Sequence, residues 1–152
     1  MNSVFLDTNF FLDIFDTQRE RHPKAKQALE QFLYNDTNLY TSSDIISTIS
    51  YFLQKRLDLK ACVDNIDYIV QEIIVLSANN DDFVSLNQLI LQKIEEQPSL
   101  KIDYEDCMQI YLADKHECRY ILTSDMQFCK GIRERFSVDV VDLDWCLLSL
   151  VK

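Results

Sequence analysis

Val4-Phe5-Leu6-Asp7-Thr8-Asn9 is a short apolar run that ends in a carboxylate. Residues Ser3 to Leu6 read as a buried strand. A carboxylate just past a buried strand lies at the carboxyl edge of a sheet, where open α/β folds place their ligands. The pattern returns late in the chain, where Tyr120-Ile121-Leu122-Thr123 leads to Ser124 and Asp125. Between these runs, Asp103 and Asp106 open a helical stretch after Ile102. Carboxylates crowded at one edge repel one another unless a cation joins them. The expectation is therefore a divalent metal site.

Working outward from the first run, Asn9 to Phe15 reads as a helix. Pro23 sits early in a second helix, whose spacing runs through Ala25, Ala28, Leu29, Phe32 and Leu33. Asn35-Asp36-Thr37-Asn38 is a turn and Leu39-Tyr40-Thr41 a second strand. Ser42 or Ser43 caps the next helix, with Ile45, Ile46, Ile49, Phe52 and Leu53 on its apolar face. Leu59 to Val70 gives another helix and Ile73 to Leu76 a third strand. Phe83 to Ile94 is helical and stops before Pro98, and Asp103 caps the helix after it. Tyr120 to Thr123 is the fourth strand, Met126 to Arg135 a short helix, Val138 to Val141 the fifth strand and Leu143 to Leu150 a closing helix. Strands separated by helices imply parallel pairing with right-handed crossovers. The expected architecture is one domain spanning 1–152, a three-layer α/β/α sandwich on a mostly parallel sheet of about five strands. A single glycine and two prolines in 152 residues argue against an all-β sandwich.

A hydrophobic fraction of 47% supports a real core, and the net charge of −10 opposes passive attraction to nucleic acid or an anionic membrane. Cations bound by carboxylates would offset part of that charge locally. The basic residues fall into three groups: Arg19, Arg21, Lys24 and Lys26; Lys55, Arg56 and Lys60; Lys130, Arg133 and Arg135. Each suits a phosphate backbone, although for any one group a solvated helix face is the preferred reading. Five dispersed cysteines without CxxC spacing fit reduced thiols in the cytoplasm and do not suggest a zinc site. No signal peptide and no membrane-spanning run is expected.

Leu6-Asp7-Thr8-Asn9, Asp103-Tyr104-Glu105-Asp106 and Leu122-Thr123-Ser124-Asp125-Met126-Gln127-Phe128 together resemble the PIN domain family, in order and separation across the chain. His22-Pro23 at the start of the second helix agrees. The resemblance implies an α/β/α fold and a magnesium- or manganese-dependent endoribonuclease, with RNA as substrate. It also implies the toxin half of a toxin–antitoxin pair, with an antitoxin protein and a second copy of the chain as partners. One departure stands out: the family's glutamate on the helix after the second strand falls at Thr48, which carries no charge. Asp44, one turn earlier on the same face, would compensate in part, or would complement the helix dipole.

On this reading Asp7, Asp106 and Asp125 are the catalytic carboxylates and direct or water-mediated metal ligands. Asp103, at i,i+3 from Asp106, is an additional or supporting ligand. Asn9 fixes Asp7 or a phosphate oxygen, and Thr123 or Ser124 bonds to Asp125 or to a water on the metal. Magnesium keeps several waters, so a few carboxylates suffice. Taken singly, Asp7 and Asp103 read equally as helix caps and Asp125 as a turn residue. A second reading follows from Thr48: a PIN-like module, weakened or inactive in catalysis, that binds RNA or a protein partner.

Overall fold

A computed structural model of the protein describes residues 2–149. The strands are β1 (Ser3–Leu6), β2 (Asn38–Ser42), β3 (Ile74–Leu76), β4 (Tyr120–Leu122) and β5 (Asp139–Val141). They form one parallel sheet in the order β3-β2-β1-β4-β5. The helices are α1 (Thr8–Phe15), α2 (His22–Tyr34), α3 (Ser43–Gln54), α4 (Leu59–Glu72), α5 (Asn80–Glu96), α6 (Tyr104–Lys115) and α7 (Leu143–Ser149). The expected three-layer α/β/α sandwich is the observed one. Leu150, the expected end of the closing helix, lies outside the described residues.

The central strands are apolar on both faces because helices cover both. Val4, Phe5, Leu6, Ile121 and Leu122 are buried, as are Phe10, Phe11, Phe32, Ile45, Ile49, Leu86 and Ile110 from the helices. α1 packs on α2 and α3, α2 on α7, and α5 on α6. The helix starts follow their side chains: Ser42 accepts the Ile45 N–H, Asp58 the Ala61 N–H and Asp103 the Asp106 N–H. Among the described residues no helix is long and apolar enough to cross a membrane.

Sheet order decides where a site can form. From β1 the chain moves outward through β2 and β3, then returns to the other side of β1 for β4 and β5. The switch point lies between β1 and β4, and ligands of open α/β sheets bind beyond the carboxyl ends of the strands there. Leu6 pairs with Leu122 in register, and the Asp7 N–H donates to the Leu122 carbonyl at 3.1 Å. Asp7 and Thr123 therefore leave the sheet side by side.

One segment departs from expectation. Met126 to Arg135 is not a helix but a run of turns closed by a 3₁₀ turn at Arg133–Arg135. Cys129 (φ +51°) and Gly131 (φ +99°) are left-handed, which ends helical propagation. A Cβ at residue 131 would lie 2.8 Å from Leu100 Cδ1, so the only glycine of the chain stands where only glycine fits.

Candidate active site at the β1–β4 edge

Asp7 caps α1 and is also the buried centre of the site, so the cap and the functional role coincide. Its Oδ1 accepts the Thr8 N–H at 2.7 Å and its Oδ2 accepts the Thr123 hydroxyl at 2.8 Å. Thr123 Oγ1 in turn accepts the Asp125 N–H at 3.2 Å. One buried hydroxyl thus ties the end of β1 to the loop after β4. The expected hydrogen bond from Thr123 or Ser124 to Asp125 is made by Thr123, through the Asp125 backbone N–H, and the Thr123 hydroxyl also donates to Asp7. The Asp125 carboxylate accepts the Gln127 N–H at 2.9 Å and is otherwise exposed.

α6 delivers the second group. Asp103 caps it by accepting the Asp106 N–H at 3.0 Å, which leaves Asp106 half-buried in the first turn. Burial first, and then the negative charges of Asp103, Asp7, Asp125 and Glu105, raise the Asp106 carboxyl from 3.8 to about 7. Asp7 is also raised, by burial above all and with a contribution from Asp125, against the lowering effect of its hydrogen bonds to Thr123 and Thr8. None of Asp7, Asp103, Glu105, Asp106 and Asp125 forms an ion pair among the described residues.

Glu105 was not singled out from the sequence. Its carboxyl is raised by desolvation and by Asp103, Asp44 and Asp7, which places it inside the same negative field. With Asp44 and Thr48 it lines a cavity of about 310 Å³ between α3 and α6. Thr48 itself turns away from charge chemistry, donating its hydroxyl to the Asp44 carbonyl at 3.1 Å. Asp44 is exposed at the start of α3, and its charge reaches Glu105. Only its neighbour in the triplet 104–106 could have pointed to Glu105, because its approach to Asp44 is made by packing alone.

For Asn9, expected to fix Asp7 or a phosphate oxygen, the hydrogen bond present is to neither: its Nδ2 donates to Ser124 Oγ at 3.0 Å, bridging α1 and the loop after β4. The pair lines a second cavity of about 240 Å³ that continues toward Arg21 and Lys24.

The donor set is all oxygen and carries no internal counter-charge. Among the described residues no group of three or more aspartate, glutamate, histidine or cysteine side chains is arranged to enclose a metal ion unaided. The carboxylates share one field without forming one closed shell. That suits a hydrated hard cation such as magnesium, which takes one or two carboxylates and keeps its waters.

The profile of the PIN domain family matches residues 3–127, and the chain belongs to that family. PIN-domain ribonucleases generally depend on a divalent metal. A curated relative named Ribonuclease VapC1, from Aquifex aeolicus (strain VF5), is 35% identical over 130 residues, covering 84% of this chain and 86% of the relative. Two solved structures have the same fold. VapBC2 from Rickettsia felis, described as bound to a DNA fragment from its promoter, superposes with a TM-score of 0.67 at 14% identity, over 92% of this chain and 98% of that one. VapC20 of Mycobacterium tuberculosis, described as a sarcin–ricin loop cleaving toxin, gives 0.60 at 16% identity, over 82% and 92%.

Proposed function

We propose that this protein is a magnesium- or manganese-dependent ribonuclease that hydrolyses RNA phosphodiester bonds, acting in the cytoplasm as the toxin of a toxin–antitoxin pair. One observation carries the chemistry. Asp7 and Asp106 are buried or half-buried at the switch point of the sheet, both raised by burial first and then by neighbouring carboxylates, Asp125 for Asp7 and Asp103, Asp7, Asp125 and Glu105 for Asp106, and neither is matched by a cation among the described residues. Clustered, mutually perturbed acids of this kind mark functional sites. The ribonuclease named among the relatives, aligned over most of this chain, supports the reading.

Asp7, Asp106 and Asp125 would hold the cation, one or two of them directly and the rest through its waters, with Asp103 as an additional or supporting ligand and Glu105 adding negative potential around it. A divalent cation bound there supplies charge neutralisation at the phosphoryl oxygens and an oriented, acidified water for in-line attack. The Thr123 hydroxyl keeps the Asp7 carboxylate pointed along the strand end, as the outer partners of metal ligands do. The half-buried Asp106 carboxyl retains a proton up to about pH 7 and must release it before it can serve a cation. Glu105 stands beside Thr48 and Asp44 and would supply the charge that Thr48 lacks.

Partners follow from surface and kinship. Leu59, Val63 and Val70 lie on one side of α4 and are exposed, an apolar face suited to a second copy or to an antitoxin segment. VapBC assemblies among the structural neighbours support a homodimer with an antitoxin. The five free, buried cysteines support a reducing compartment.

Thermal melting with millimolar magnesium or manganese, and again with chelator, tests the reading together with cleavage of single-stranded RNA. A ligand specific for the folded state raises the melting temperature. The expected result is a metal-dependent rise and cleavage that chelator abolishes. A metal-independent melt with no cleavage would favour the alternative of a binding module, which Thr48 motivates.

A further inference from the structure

The three basic groups of the sequence are not equivalent in the fold. Arg19 is held by Asp13 at 2.6 Å and Lys24 by Asp144 at 2.6 Å. Arg56 is paired with Asp16, Lys60 with Asp64 and Arg135 with Glu96. Arg133 donates to backbone carbonyls, and Lys55 lies over the Tyr51 ring. Arg21 is different. It lines the 240 Å³ cavity next to Thr123 and Ser124, is exposed, and its guanidinium has no hydrogen-bond or ion-pair partner among the described residues. Each carboxylate of that cavity already has a partner other than Arg21: Asp13 has Arg19, Asp144 has Lys24 within the same cavity, and Asp142 accepts the Trp145 N–H. Arg21 is the free cation of a cavity that opens on the active edge.

The opposite wall carries complementary groups. Ser124 Oγ accepts from Asn9, which leaves the serine O–H free to donate and the Asn9 Oδ1 free to accept. A donor and an acceptor side by side match a ribose 2′-hydroxyl, which is both. Met126, 43% exposed at the rim, offers an apolar surface for a base.

We propose that this cavity is a ribonucleotide subsite, in which Arg21 takes the phosphate of one nucleotide flanking the cleaved bond and the Asn9–Ser124 pair meets its 2′-hydroxyl. The proposal deepens the ribonuclease reading and rests on it. It gives the RNA strand a path across the sheet edge, from Ser124 toward α2.

The test uses the full chain carrying Asp7→Asn, so that RNA survives, and a short fluorescein-labelled single-stranded RNA with a DNA of the same sequence. Arg21→Ala weakens RNA binding about tenfold, as loss of one charged hydrogen bond does. It also lowers the slope of log affinity against log salt by about 0.7, the loss of one phosphate contact on a single strand. Arg21→Lys keeps the slope. Ser124→Ala leaves the slope but narrows the preference for RNA over DNA. Lys26→Ala removes an equal charge from the same helix and changes neither. RNA binding that ignores Arg21→Ala, or that falls equally with Lys26→Ala, overturns the subsite. In the wild-type background Arg21→Ala raises KM more than it lowers kcat. Arg21-dependent binding without any cleavage would sink the ribonuclease reading alone, and cleavage with an unchanged KM would sink the subsite alone.

Discussion

Asp82 and Asp7 are both buried carboxylates, 2% and 9% exposed, and they meet the cost of burial in opposite ways. Asp82 sits in a capping box with Asn79 at the start of α5 and pairs with Lys115 at 2.7 Å. Desolvation pushes its carboxyl upward, but Lys115 and the Asn79 N–H outweigh it and hold the group below the usual range. Asp13 is satisfied in the same manner by Arg19. Asp7 receives only a hydroxyl and an N–H, faces Asp125 and Asp106, and is raised. A buried charge without an internal partner is costly. A fold that keeps such a charge at its switch point, while pairing its other buried acids, leaves room for a counter-ion from outside.

Removing each charge in turn separates the two regions. Asp7→Asn should cut RNA more than ~100-fold more slowly, beyond the loss typical of an outer partner of a metal ligand. It should not destabilise the metal-free protein, because asparagine caps a helix as well as aspartate and removes an uncompensated charge. Urea unfolding in chelator that shows a large loss would erase the contrast. Asp82→Ala should do the reverse. Breaking a fully buried pair costs about 3–5 kcal/mol. Lys115 is 42% exposed, so screening brings the expected loss in unfolding free energy to about 2 kcal/mol. Cleavage per folded molecule stays unchanged.

Titration sharpens the contrast further. The Asp106 carboxyl is raised in the fold, so its protonated form is favoured there. Metal-free stability contributed by this group is complete below the ordinary value of 3.8 and is lost as pH rises through about 7. Cleavage runs the other way, rising roughly tenfold per pH unit up to about 7 and then levelling, since the cation needs the ionised group. Rate profiles of the wild type that lack this rise would detach Asp106 from the chemistry. The smallest effect belongs to Thr123→Val. It frees the Asp7 carboxylate of one hydrogen bond and should slow cleavage about tenfold, the low end for outer partners. Single-turnover rates at saturating metal measure it.

The strands, the helices and the three carboxylate positions were legible because each depends on local pattern. Apolar runs too short for helices marked β1 and β4. Period and caps marked α3 and α6, with Ser42 and Asp103 where the side-chain chemistry demands them. The stretch from Met126 to Arg135 is not the helix its composition suggests because two left-handed residues, Cys129 and Gly131, interrupt it, and apolar spacing does not register left-handed backbone. For Asn9 the sequence offers Asp7 or a phosphate oxygen, and only packing brings Ser124 to it across 115 residues. Glu105 was passed over for the same reason: its neighbours in space, Asp44 and Thr48, come from another helix.

Hydrophobic periodicity and helix-capping chemistry act over a few residues. The amino-acid order by itself therefore determined the α/β alternation and the placement of Asp7, Asp103, Asp106 and Asp125 at element ends. Strand order and helix packing act over the whole chain. They alone decided that Asp7 and Asp106 share a field with no cation in it, that Thr123 serves Asp7, and that the guanidinium of Arg21 is left unpaired in the neighbouring cavity. Electrostatic energy depends on distance through space, and sequence separation does not measure that distance until the sheet has closed.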